Sequence, residues 1–183
     1  MEQQEKIDFI AQDLPMILEI KDKSLAEKVA DVWLQTLKSS CWDGIAQIPF
    51  KDDCPERTLK EHVNACAEAS LALSRIFHKH HGLEVDEDRL LAFALIHDVD
   101  KAIKYTKGDN GQIVISEAGA KIQHGVISAM IARDCGFSLD MIHLLITHTP
   151  SQNMKPAYAE GVLFAGIDLC DWELVYRYCR KKA

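Results

Sequence analysis

The sequence predicts an all-α protein, a helical bundle with one possible small β-hairpin inserted near residues 104–116. Most of the chain consists of segments with helical apolar spacing that begin at capping residues and end at glycine or proline. Glycine and proline are few, nine and five in 183 residues, which argues against a collagen-like or disordered chain. Strand-like patterning is confined to Gln112–Ile115, which follows the turn residues Gly108–Gly111.

The first predicted helix lies near the N-terminus. Ser24 and Glu27 have the spacing of a capping box, which predicts a helix that begins at Ser24 and continues to about Leu37. Residues 39–56 are predicted to be irregular, because glycine and proline interrupt them repeatedly.

The later helices follow from similar signals. A long helix is predicted from Thr58 to His80, because Gly82 is suited to end it, and Asp86 is suited to cap the next helix. A single helix is then predicted over Ala118–Cys135. The last two predicted helices are Ser138–His148 and Tyr158–Arg180.

Composition limits the class of function. The chain has 21 Lys and Arg against 28 Asp and Glu, a net charge of −7. A field of this sign repels a phosphate backbone, so no nucleic-acid polymer is expected as a partner. A small anionic substrate on a buried metal ion is compatible with it, because the ion's charge dominates locally. The length predicts one domain over residues 1–183.

Targeting and redox signals predict a cytoplasmic protein without a membrane partner. The apolar runs, such as Leu90–Ile96, are too short to span a bilayer. Residues 1–8 have mixed charge and lack the apolar segment of a signal peptide. The six cysteines form no CxxC pair and are expected to be reduced thiols. A homodimer is compatible with this sequence.

The adjacent pair His97-Asp98 is the strongest chemical signal. It follows the apolar run Leu90–Ile96, where a carboxylate is rarely buried unless it is paired or metal-bound. His62 and Asp168 also lie in mostly apolar surroundings on other predicted helices. In a bundle, inward-facing residues from separate helices can converge on one ion. Imidazole and carboxylate together suit iron, manganese, cobalt or zinc.

The order His62, His97-Asp98, Asp168 resembles the HD superfamily of metal-dependent phosphohydrolases. The segment Leu95–Lys101 is similar to that family's signature, in which His-Asp is followed by an apolar residue, glycine and lysine. The resemblance implies an HD core over residues 57–180, preceded by an N-terminal helical extension and loop over 1–56. It also implies a hydrolase that acts on a small phosphorylated or nucleotide-like metabolite through metal-activated water.

The resemblance extends to the dinuclear members of the family, in particular the bacterial HD-type diadenosine tetraphosphate hydrolases. It implies one or two divalent transition-metal ions as cofactor, with Asp98 bridging two of them. His62, His97 and Asp168 would complete the first ion site. His124 and His148 would complete the second, and His143 is the alternative to His148.

Substrate contacts are predicted from nearby cations. Lys101 lies one helical turn after Asp98, so both are candidates for a catalytic role, and Lys101 could stabilise charge on phosphoryl oxygens. Lys104 and Lys155 are further candidates for substrate binding. Asp100 stands where the family usually has glycine; it is either a solvated helix-end residue or a partner that orients a ligand histidine.

Two other functions are compatible with the same residues. One is a di-iron oxygenase or a hydrolase of a small non-phosphate molecule on the same scaffold. The other is a regulatory binding module that keeps a relic metal site. Metal content and oxygen uptake would separate these alternatives from a phosphohydrolase.

Overall fold

The computed structural model describes residues 1–149 and 154–179. Within them, helices dominate and the strands form two small antiparallel pairs, which confirms the predicted all-α bundle. The helices are α1 (Gln3–Ala11), α2 (Lys23–Lys38), α3 (Leu59–His81), α4 (Glu87–Ile96), α5 (Lys101–Lys104), α6 (Glu117–Lys121), α7 (Val126–Asp134), α8 (Leu139–Thr147) and α9 (Ala159–Leu174). The strands are β1 (Pro49–Lys51), β2 (Cys54–Thr58), β3 (Tyr105–Lys107) and β4 (Ile113–Ile115).

Helix α4 forms the centre of the bundle. Every residue from Leu90 to Ile96 is buried, and the helix packs against α2, α3, α8 and α9. A helix that is apolar on all sides is expected where neighbours surround it. Trp33 of α2 also donates a 2.9 Å hydrogen bond from its indole nitrogen to the carbonyl of Leu95. The end of α4 is therefore fixed within the core, and His97 and Asp98 follow it directly.

The predicted cap of α2 was wrong. The helix begins at Lys23, and the side chain of Asp22 accepts hydrogen bonds from the backbone N–H groups of Ser24 and Leu25. Glu27, the expected partner of Ser24, instead pairs with Lys6 of α1 at 2.9 Å. Asp is as good an N-cap as Ser, so local sequence alone did not distinguish the two.

Helix α3 agrees closely with the prediction. Thr58 and Glu61 form a reciprocal capping box at its start. Gly82 ends it with φ of +66°, a left-handed conformation that favours glycine. The predicted cap of α4 is also confirmed, since the Asp86 side chain accepts from the N–H of Arg89.

The single helix predicted over Ala118–Cys135 was wrong, because the structure has two helices there, α6 and α7. The break contains Gly125, whose φ is +82°. A Cβ atom at Gly125 would lie 2.5 Å from the carbonyl oxygen of Leu145, so only glycine fits this close approach. The apolar spacing on both sides is helical, and this concealed the break. The residue just before it is His124.

Two hairpins flank the bundle. The predicted hairpin is confirmed as β3–β4, in which Tyr105 pairs with Ile115 and Lys107 with Ile113. The sequence did not predict the second hairpin, β1–β2, within the segment taken as irregular. Its strands are short, and strands of three to five residues leave little periodic signal.

The C-terminal part completes the site. The Ser138 side chain caps α8, as predicted, by accepting from the N–H of Met141. Helix α9 follows Tyr158, whose side chain makes no capping hydrogen bond, and it is followed by a π-helical turn over Val175–Cys179. Arg180, the predicted end of the last helix, lies outside the described residues. Among the helices of residues 1–149 and 154–179, none is long and apolar enough to cross a membrane.

Candidate metal centre

The first predicted ligand group converges from three helices. His62 projects from α3, His97 caps the C-terminal end of α4, and Asp168 lies on α9. His62 Nε2 lies 3.0 Å from His97 Nε2, 3.3 Å from Asp98 Oδ2 and 3.3 Å from Asp168 Oδ1. His97 Nε2 is 3.4 Å from Asp98 Oδ2. Four side chains from three separate parts of the chain thus present one nitrogen or oxygen each to a common point.

A second group forms around the other oxygen of Asp98. His124 Nε2 lies 3.0 Å from Asp98 Oδ1, and His148 Nε2 lies 3.8 Å from the same atom. The two histidine Nε2 atoms are 3.2 Å apart. His148 is the C-cap of α8, and His124 stands in the break between α6 and α7. Asp98 therefore faces one cluster with each carboxylate oxygen.

The spacing fits metal ligation. Ligand atoms about 2.0–2.2 Å from one ion lie about 3.0–3.6 Å from one another. The distances within both clusters are close to this range. Asp98 Oδ1 is buried, and among the described residues it accepts no well-aligned hydrogen bond, although His124 Nε2 lies 3.0 Å away. A buried acceptor without a donor costs about 1–3 kcal/mol, a cost that a cation at this point would remove.

The histidine tautomers also fit a metal. In each of the four histidines, Nδ1 lies within hydrogen-bond distance of an oxygen acceptor, so in a neutral ring Nδ1 can carry the hydrogen and leave Nε2 as the metal-binding atom. This arrangement fixes the ring orientation as well as the tautomer. The acceptors are Asp171 for His62 at 2.7 Å, Ala94 O for His97 at 2.8 Å, Asp100 for His124 at 2.8 Å and Leu145 O for His148 at 2.7 Å.

Electrostatics at the first cluster favour a positive charge. Burial disfavours protonation of His62, but the carboxylates of Asp168, Asp171 and Asp98 outweigh it and hold its pKa well above the usual range. Burial lowers the pKa of His97, which keeps that ring neutral. The carboxylates thus stabilise one cation between them, either a proton or a metal ion.

Electrostatics at the second cluster also favour a positive charge. Burial disfavours the charged form of His124, but Asp98 and Asp100 outweigh it and raise its pKa to about 10. Burial opposes ionisation of Asp98, yet Lys101, His97 and His124 hold its pKa well below the ordinary value. Asp98 is therefore ionised and can bind a cation through either oxygen.

Asp100 is buried rather than solvated, with 2% of its surface exposed. Its Oδ2 accepts from His124 Nδ1 at 2.8 Å and from the backbone N–H of Gly125 at 2.8 Å. The structure therefore supports the second reading of this residue, a partner that orients a ligand histidine. It also ties the break between α6 and α7 to the end of α4.

The predicted lysines fall into two groups. Lys101 is almost buried, and its Nζ lies 2.7 Å from Asp98 Oδ2, as expected for a residue one turn later. Lys104 lines a cavity of about 360 Å³ beside the cluster. Lys155 is exposed and is not among the residues that line this cavity. Its predicted substrate contact has no support from the structure and stays a prediction.

Sequence reasoning missed several residues near the clusters. Asp171 holds His62, and the Cys66 thiol lies 3.7 Å from His62 Nδ1. Lys51 and Trp172 line the same cavity as Lys101. Asp171 could have been predicted, because it lies about one helical turn after Asp168 and therefore on the same face of the helix. For Lys51 the sequence offered none, because its position depends on an unpredicted hairpin.

His143, the alternative ligand, lies elsewhere. Its Nε2 accepts a 3.0 Å hydrogen bond from the backbone N–H of Ala157. The structure brings His148 and not His143 to the clusters. The five-residue spacing between them puts the two rings on different faces of the helix end.

Comparison with known proteins agrees with this geometry. The HD domain family model matches residues 60–173, which is more than half of the chain and spans all six candidate ligands. Searches of curated proteins and of solved structures found no match. The chain therefore belongs to the HD domain family, whose members are mostly metal-dependent hydrolases.

Proposed function

We propose that this protein is a metal-dependent phosphohydrolase that acts on a small phosphorylated metabolite at a two-ion centre. The observation that supports this most strongly is the position of Asp98, whose two oxygens each face a separate group of histidine nitrogens. The first ion would be held by His62, His97, Asp98 and Asp168. The second would be held by Asp98, His124 and His148.

When bound, divalent ions supply an activated water and neutralise charge on phosphoryl oxygens. The protein's own side chains orient the metal ligands and stabilise charge on the substrate. Asp171 and Asp100 orient His62 and His124 through their Nδ1 hydrogens. Lys101, placed over Asp98 and flanked by the ring of Phe50, can stabilise negative charge on a phosphoryl oxygen next to the cluster.

The proposal is tested first by elemental analysis of protein purified without chelator or nickel. About two transition-metal ions per chain are expected, and one ion would limit the site to the first cluster. A protein that holds no ion even after addition of manganese or iron would support the relic-site alternative.

Activity is tested on phosphomonoesters, phosphodiesters and nucleotides with the metal-loaded protein. We expect hydrolysis, and we expect His97→Ala to abolish it together with metal binding at the first ion site. His143→Ala is the matched control, because it removes a histidine of the same bundle that takes no part in either cluster. A loaded wild-type protein that cleaves none of these compounds would contradict the proposal.

An oxygenase reaction is the second candidate, and one observation favours it. The second cluster contains two histidines and one carboxylate, Asp98 with His124 and His148. This donor set is typical of non-haem iron oxygenases. Oxygen uptake by iron-loaded protein with phosphorylated and non-phosphorylated test compounds would support this candidate. Equal activity with redox-silent zinc would exclude it.

A further inference from the structure

The cavity beside the two clusters is larger than a phosphoryl group needs. Its volume of about 360 Å³ lies within the range of roughly 300–1,000 Å³ typical of small-molecule sites. The ligand residues Asp98, His124 and Asp168 form one part of its wall. The remainder includes Lys51, Lys104 and Trp172, so an organic portion of the substrate would contact these side chains.

Lys51 reaches the cavity because the hairpin β1–β2 is fixed against the site. The ring of Phe50 packs on His62 with 4.5 Å between ring centroids. Lys101 Nζ lies 3.9 Å from the centre of the same ring. The N–H of Leu59 donates to the carbonyl of Ile48 at 2.8 Å, which joins the hairpin to α3. The hairpin ends before residue 60, so it lies outside the segment that matches the HD family.

The lysines of the cavity differ in what they contact. Lys101 pairs with Asp98 at 2.7 Å and belongs to the metal centre. Lys51 Nζ lies 3.6 Å from Asp53, but both side chains are about a third exposed, and such pairs are weak because water screens them. Lys51 Nζ also lies 4.8 Å from the centre of the Tyr176 ring. Contact with a ring orients the ammonium group without neutralising it.

Lys104 has a similar environment on α5. Its Nζ lies 5.3 Å from the centre of the Tyr105 ring. Lys51 and Lys104 thus place two ammonium groups at the cavity in a protein whose net charge is −7. Cations that line a small-molecule cavity in an acidic protein are suited to recognise an anion.

We infer that the substrate carries a second oxyanion besides its phosphoryl group, and that Lys51, with Lys104, binds this oxyanion. The inference rests on the proposed function, because it assumes that the phosphoryl group lies at the metal ions. It assigns substrate recognition to a hairpin outside the family segment.

The test compares two phosphonates that the proposed hydrolase reaction cannot cleave. Propylphosphonate has a single anionic group, and phosphonopropionate has a carboxylate at the other end of a chain of similar length. Binding of each to manganese-loaded protein is measured by calorimetry. A charge-assisted hydrogen bond predicts about tenfold tighter binding of phosphonopropionate.

Three variants test whether the preference for phosphonopropionate over propylphosphonate comes from the Lys51 ammonium group. Lys51→Met keeps the apolar stem over the rings and should remove most of the preference, while affinity for propylphosphonate stays at the wild-type value. Lys51→Arg should retain the preference. Lys107→Met is the matched control. Like Lys51, Lys107 is a strand lysine whose Nζ lies over an aromatic ring, here 5.1 Å from the centre of Trp42, but it lies outside the cavity.

The outcomes separate this inference from the proposed function. If neither phosphonate binds the loaded protein, the phosphoryl group does not lie at the ions and the proposed function fails. If both bind equally, or if the preference survives Lys51→Met, the inference is overturned while the proposed function stands. If Lys51→Met weakens both phosphonates, Lys51→Arg decides, and loss of the preference there also overturns the inference.

Discussion

Two adjacent stretches of the chain are buried to the same extent for opposite reasons. Residues 90–96 of α4 are buried apolar side chains held by packing. Residues 97–101 follow at once, and four of the five are polar or charged yet less than 10% exposed. Apolar burial stabilises the fold by removing surface from water, whereas these polar groups are buried at a cost that their partners offset. Changes in the two stretches should therefore have different consequences.

The largest expected effect on stability is in the apolar stretch. Phe93 is fully buried and packs on Phe164 with ring centroids 4.5 Å apart. Phe93→Ala should lower the free energy of unfolding by about 3–5 kcal/mol, since it leaves a cavity at the centre of the bundle. Urea denaturation of the metal-free protein measures this loss in the free energy of unfolding. Leu139→Ala, at a side chain 83% exposed, should change stability by less than about 0.5 kcal/mol. Equal losses in both variants would contradict the comparison.

Metal removal should affect the polar stretch without unfolding the protein. An ion present at about one hundred times its dissociation constant stabilises the folded state by about 2.7 kcal/mol. A chelator should therefore lower Tm by roughly 5–10 °C and leave the far-ultraviolet circular dichroism at 20 °C unchanged. In Asp98→Ala, which lacks the carboxylate that both clusters share, the chelator should cause no shift. Complete unfolding of the wild type by the chelator would show that the ions, rather than α4, hold the bundle.

A smaller effect, on metal affinity, is expected from substitution of Asp100. This residue orients the ligand His124 and is not itself a proposed metal ligand. Asp100→Asn keeps an oxygen acceptor for His124 but removes the negative charge. Partners of this kind typically contribute 10–100-fold to metal affinity. We expect the second ion to bind about tenfold or more weakly while the first is retained, as measured by metal titration. Asp109→Asn, on the β3–β4 turn, is the control. Parallel loss of both ions would contradict this assignment.

The smallest loss of metal affinity is expected on substitution of Asp171. Its side chain is 23% exposed and it holds His62 alone, whereas the buried Asp100 holds both His124 and the backbone of Gly125. Asp171→Asn should weaken the first ion by about tenfold or less, because solvent partly screens the lost charge. Competition with a fluorescent chelator measures the change. A greater loss than in Asp100→Asn would reverse the order that burial predicts.

The site was predictable where its signal was local. His97 and Asp98 stand directly after an apolar run, so their burial could be inferred from neighbours in sequence. His124 was named as a ligand, but its setting was taken as a continuous helix. The loop there depends on the close approach of Gly125 to Leu145, which no local pattern records.

The residues that were missed depend on tertiary contacts. Lys51 reaches the cavity because Phe50 packs on His62, twelve residues later in the chain. The α2 cap shows the same limit on a smaller scale, since Asp22 and Ser24 are both good caps and the choice depends on packing with α1 and α4. The Asp22 N–H, for example, donates to Asp88 at the start of α4.

The β1–β2 hairpin borders the candidate site but lies outside the segment that matches the HD family. All six candidate ligands lie between residues 60 and 173, whereas the hairpin is encoded before them. Substitutions in residues 49–58 could therefore change which molecule is accepted without altering a ligand, except at Phe50, which contacts His62. A library of variants confined to this hairpin would therefore change the wall of the cavity while it leaves all six candidate ligands in place.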